Sequence, residues 1–117
     1  MALVSPGLAL GVEALGTGLL VLVIFAVTDP RNRAAPSRGS APLIIGLTVA
    51  ALISVFAPVT QAGWNPARDL GPRLVAWLAG YGSIAIPGPQ QGFWIYQVGP
   101  LIGGTIAGGL YERVIRR

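Results

Sequence analysis

The 117 residues are 53% hydrophobic and only 10% charged, with 17 glycines, no histidine and no cysteine. Soluble domains carry about 25% charged residues, so this composition excludes an ordinary soluble core. Without histidine or cysteine it also offers no metal-ligand cluster and no nucleophile with a base, so no enzyme, metal site or cofactor is expected. The net charge of +4 comes from arginine alone, and six of the eight arginines fall in two groups: Arg31, Arg33 and Arg38, then Arg113, Arg116 and Arg117. Paired basic clusters flanking apolar runs set membrane orientation, and they are not a nucleic-acid signal.

Taken in chain order, the first predicted helix runs from about Leu8 to Thr28 and carries one ionisable residue, Glu13. The stretch before it has no basic region, so it reads as a span that stays and not as a cleaved signal peptide. Asp29-Pro30 ends the span, and a polar loop occupies residues 29–40. A second helix is expected over 41–60, with no charge between Leu43 and Gln61. Each run is near the roughly 20 residues needed to cross a bilayer. Val59 to Trp64 is expected as an irregular descent, tolerated at membrane depth only where protein buries it or a cavity wets it. A half-helix is expected over 66–79, and a loop rich in Gly and Pro follows to Gln91. The last helix is expected over 93–114.

The arginine groups fix a topology. Both belong on the cytoplasmic side, so an even number of crossings separates them. The second and last helices supply two. The apolar piece Leu70–Ala79 is too short to span, so it enters and leaves from the extracellular side as a re-entrant half-helix. Close-packing glycine pairs are expected on the last helix, at Gly99 and Gly103 and at Gly104 and Gly108, and on the first at Gly7 and Gly11.

The chemistry sits at Asn65-Pro66-Ala67-Arg68-Asp69. Asn65 is a good helix cap and Pro66 suits a first helical position. As a cap, Asn65 accepts from first-turn amides and keeps its NH2 free to donate. The helix start adds a partial positive charge of about half a unit, and Arg68 adds a full one. Such a path repels cations and passes neutral hydroxylated solutes. Asp69 and Arg73, four residues apart, can pair on one face. Glu13, a carboxylate inside an apolar span, needs donors, and the descent before Asn65 has amides to give.

The run Gly63-Trp64-Asn65-Pro66-Ala67-Arg68-Asp69-Leu70-Gly71-Pro72-Arg73 resembles the second signature loop of the major intrinsic proteins, the aquaporins and glycerol facilitators. Tyr96-Gln97-Val98-Gly99-Pro100-Leu101-Ile102-Gly103-Gly104 resembles the start of that family's last helix, and Glu13 falls at its buried glutamate. The resemblance covers essentially the whole chain but half of the family's protein. It implies an all-α membrane protein with three transmembrane helices and one re-entrant half-helix. That is an aquaporin-like half-channel, a single membrane region over 1–117.

The resemblance also implies a selectivity filter of Arg68, Ile53 and Ala62. Asp69, Arg73 and Gln97 look like the glycerol-conducting branch, whereas aromatic Tyr96 looks more like the water branch. The implied activity is passive conduction of glycerol-like polyols and water, completed by a complementary N-terminal half, in a homotetramer of the cell membrane. The alternatives are a water-selective half and a non-conducting fragment that only binds other membrane proteins. An antiparallel homodimer conflicts with the strong arginine bias.

Overall fold

A computed structural model describes residues 4–37 and 39–116, which form four α-helices and no strand. Arg38 and Arg117 of the two arginine groups, and residues 1–3 ahead of the first helix, lie outside the described residues.

Helix α1 spans Pro6–Thr28. It starts two residues earlier than expected because the Ser5 hydroxyl caps the Leu8 amide and Pro6 takes the first turn. Helix α2 spans Ala41–Thr60 and stops where Gln61 turns left-handed, at φ 64°. Helix α3, Pro66–Ala76, begins on the Asn65 cap and widens into the turn Trp77–Tyr81. Gly80, at φ 92°, closes that turn, so the regular half-helix is shorter than the expected 66–79. Two short turns, Gly82–Ile84 and Pro89–Gln91, lead into α4, Phe93–Leu110. A wider turn, Tyr111–Ile115, continues α4 one residue past the expected end at 114.

By length and composition α1 and α2 can each cross a membrane. Glycines dilute the apolar character of α4, and glycine is what lets it approach α1. Gly103 lies so close that a methyl there would strike the Ala14 carbonyl. A methyl on Gly99 would sit 2.8 Å from Glu13 Cβ. Gly104 and Gly108 make only ordinary contacts, with Thr17, Val21 and Phe25. Gly7 and Gly11 face open space, which corrects the expected packing pair on α1. The close-contact glycines of α1 are Gly16, under Trp64, and Gly18, against Gly103.

Helix α1 is thus the spine, with α4 along one side, α2 along another, and α3 held against α4. The outer elements are nearly bare. Only Ala41 and Thr60 of α2 are buried, and no residue of α3 is. Leu43, Leu47 and Val55 of α2 and Leu74 and Val75 of α3 are exposed. That apolar area needs lipid or another protein surface against it.

Candidate functional site

The site is built on the descent between α2 and α3. Gln61, Ala62 and Trp64 all have positive φ, at 64°, 55° and 48°. Left-handed backbone costs a side-chain-bearing residue about 1–2 kcal/mol, so this segment holds its shape only if its surroundings impose it.

Glu13 imposes it. Its carboxylate, 0% exposed, reaches across from α1 and accepts from the Gly63 amide at 3.0 Å and the Trp64 amide at 2.7 Å. One turn further along α1, the Thr17 hydroxyl bonds the Glu13 carbonyl at 2.7 Å and approaches the Trp64 carbonyl at 3.4 Å. From α4, the Tyr96 hydroxyl donates to the Thr60 carbonyl at 2.8 Å. The loop is therefore clamped from both neighbouring helices. Gly63 is there for space, since a methyl would come within 2.6 Å of the Tyr96 ring. The Trp64 ring lies over Gly16 and meets Phe56 edge-on at 6.1 Å. Its buried indole N–H has no acceptor among the described residues.

The clamp delivers Asn65 to the start of α3. Its side-chain oxygen accepts from the Ala67 and Arg68 amides, at 3.0 and 3.1 Å. The oxygen is thereby committed, and the NH2 makes no hydrogen bond to the described residues. Arg68, in the first turn, folds back over the loop, donating to the Ala62 carbonyl at 3.2 Å and reaching the Gly63 carbonyl at 3.5 Å. Both Asn65 and Arg68 remain exposed. Two donor groups thus stand together at the positive end of a helix.

The other expected filter residues are disposed differently. Ile53 lies on α2 at 36% exposure, whereas Ala62 is 0% exposed. What Ala62 supplies at this site is the carbonyl beneath Arg68, and its methyl faces no opening. The cause is its left-handed backbone, which no reading of spacing from Asn65 could contain.

Asp69, Arg73, Tyr96 and Gln97 form one connected cluster between α3 and α4. Asp69 Oδ2 accepts from Arg73 Nε at 2.8 Å and from Gln97 Nε2 at 3.0 Å. Arg73 also donates to the Ala85 carbonyl at 2.9 Å. Its guanidinium lies 5.9 Å from the Phe93 ring centre and 5.6 Å from that of Tyr96, within cation–π range. A cavity of about 190 Å³ lies where the cluster meets the loop, lined by Gln61, Gly63, Arg68, Asp69, Arg73 and Tyr96. Sequence reasoning missed Thr17 and Gly16. The signal for Thr17 was a hydroxyl one helical turn after a buried acid. Nothing in the sequence pairs Gly16 with Trp64.

This arrangement has counterparts among known proteins. Residues 1–111 match the family described as Major intrinsic protein. Aquaporin-3 of Milnesium tardigradum is 45% identical over 102 residues, covering 86% of this chain and 31% of that protein. The glycerol uptake facilitator protein of Pseudomonas aeruginosa is 40% identical over 115 residues, covering 97% of this chain and 41% of that one. The X-ray structure of the aquaglyceroporin from Plasmodium falciparum superposes with a TM-score of 0.86 at 29% identity, over 96% of this chain and 46% of that one. The chain spans less than half the length of each of these relatives. With a family match over nearly its whole length, and the same fold, it belongs to the major intrinsic protein family.

Proposed function

We propose that this chain is the C-terminal half of a passive membrane channel for small neutral solutes, glycerol-like polyols and water, completed by a complementary N-terminal half. The observation that carries this reading is the pair of exposed donors, the Asn65 amide and the Arg68 guanidinium, at the positive end of α3. Such donors hold a hydroxyl oxygen and repel cations. The bare faces of α2 and α3 support the need for a second half, as do relatives more than twice as long.

Asn65, Pro66 and Ala67 form the constriction in this reading, and Arg68 is the charged member of the filter. Ile53 contributes an apolar side and Ala62 its carbonyl. Asp69, Arg73, Tyr96 and Gln97 set the solute class. The names of the relatives, glycerol uptake facilitator among them, favour polyols over water alone. The arginine groups favour a cytoplasmic 29–40 loop and C-terminus, and in this reading the complete channel is a homotetramer in the cell membrane.

Stopped-flow light scattering on vesicles tests this. The chain co-reconstituted with a complementary half should admit glycerol well above the rate of empty vesicles. Water entry without glycerol entry would move it to the water-selective reading. A completed protein that leaves both rates at the empty-vesicle level would refute conduction.

A further inference from the structure

At the end of the bundle away from Gln61, the 29–35 segment folds against the last turn of the chain. Asp29 organises the junction. One carboxylate oxygen accepts from the Arg31 amide at 2.9 Å and from Arg31 Nε at 3.0 Å. The other accepts from the Tyr111 hydroxyl at 3.3 Å and lies 4.0 Å from Arg116 Nε. Asn32 ties the loop back, donating to the Ala26 carbonyl at 2.8 Å. The result is a cavity of about 390 Å³ bordered by Arg31, Asn32, Arg33, Tyr111, Ile115 and Arg116, with Asp29 at its base.

The charges do not balance. Three guanidinium groups line the cavity against one carboxylate, and that carboxylate already takes four contacts from Arg31, Tyr111 and Arg116. Glu112 pairs with Arg116 from outside the cavity. Arg33 makes no ion pair among the described residues. The Arg31 side chain is 57% exposed, and only its Nε is engaged by a hydrogen bond among the described residues. Clustered guanidinium donors fit the tetrahedral oxygens of a phosphate. The position adds a second demand. The cavity sits beyond the end of α1 and the last turn of the chain, and exposed Ile115 borders it. A ligand here meets cationic donors on one side and apolar surface on the other.

We propose that this pocket binds the phosphate of an anionic phospholipid headgroup, the acyl chains running along the end of α4. Basic pockets between helices at the cytoplasmic surface suit such headgroups. The proposal rests on the membrane reading of the chain and is independent of the conducted solute.

Native mass spectrometry of the chain in detergent micelles tests it, with phosphatidylglycerol and phosphatidylcholine added separately. Phosphatidylglycerol should remain bound where phosphatidylcholine does not. Arg33→Gln should weaken its retention about fivefold, the effect of one arginine at an anionic surface. Arg113→Gln removes the same charge from the same end but does not border the cavity, and it should cost clearly less retention than Arg33→Gln. Equal loss in the two variants would mean diffuse surface charge and overturn the pocket. Equal binding of the two lipids would overturn it independently of whether either variant folds. Displacement of the lipid by millimolar inorganic phosphate would assign the site to a soluble phosphate and overturn the lipid source, whereas retention supports it. None of these readouts involves solute flux, so failure here is distinct from failure of the channel reading.

Discussion

Replacing Glu13 by glutamine keeps the shape of the side chain while removing its charge and one of its two acceptors. The structure sets the size of the effect. A hydrogen bond to a charged group contributes about 1.5–3 kcal/mol, so the two bonds to Gly63 and Trp64 are together worth about 3–6 kcal/mol. The three left-handed residues they restrain store about the same amount, at about 1–2 kcal/mol each. The loop is thus held by a near balance. Glutamine can accept one of the two bonds as a neutral partner, worth about 0.5–1.5 kcal/mol, and must turn its own NH2 toward the other amide. The net loss is about 2–5 kcal/mol, and even the lower end shifts the loop equilibrium more than tenfold. Asn65 and Arg68 move with the loop. In vesicles holding the completed channel at matched protein content, Glu13→Gln should therefore lower glycerol and water entry together by about tenfold or more. Its thermal unfolding midpoint should fall as well. A Glu13→Gln channel with wild-type flux and an unshifted midpoint would refute the argument that this carboxylate holds the loop that carries Asn65 and Arg68.

Three further perturbations follow from the packing and the charges. Gly103→Ala drives a methyl into the Ala14 carbonyl and should destabilise by about 1–3 kcal/mol. Gly7→Ala, in open space, should leave stability within about 0.5 kcal/mol of wild type, and thermal melts compare the two. Asp69→Ala frees both Arg73 and Gln97; it should cost about 1 kcal/mol and lower the ratio of glycerol to water permeability, read by stopped flow. Backbone and side-chain hydrogen bonds from Arg31 hold the Asp29 carboxyl below its ordinary value. Its stabilisation is therefore complete above the usual carboxylate pKa of about 3.9 and is lost as pH falls through the lower folded value. Melts of wild type and Asp29→Asn should converge in acid, and the wild type should show no change from this residue between neutral and mildly alkaline pH.

Much of the architecture was legible because bilayer thickness and helical rise leave few choices. Residues 41–60 are long enough to cross and Leu70–Ala79 is not, and length alone separates span from half-helix. Glu13 was legible for a similar reason, since a carboxylate in an apolar span must find donors and an irregular segment has free amides. The geometry of Ala62 was not. A left-handed turn at alanine leaves no trace in composition, so nothing in the sequence showed that Ala62 turns its carbonyl toward Arg68. The joint grip of Gln97 and Arg73 on Asp69 was hidden too, because 28 residues separate Gln97 from Asp69 and only the packing of α4 on α3 brings them together. Gly7 and Gly11 carry the same spacing as Gly99 and Gly103, and the difference between open space and a crossing lies in which face α1 turns to its neighbour.

The restraints on Asn65 and Arg68 come from Glu13, Thr17, Thr60, Ala62, Gly63 and Tyr96, all within these 117 residues. The conformational entropy of ordering the loop is therefore met before any second half arrives. On the proposed reading, assembly with a complementary half would be docking between surfaces already formed around Asn65 and Arg68. Variants of the interface should then change how often the halves meet and how long they stay, while the geometry of the donors stays the same in each assembled copy.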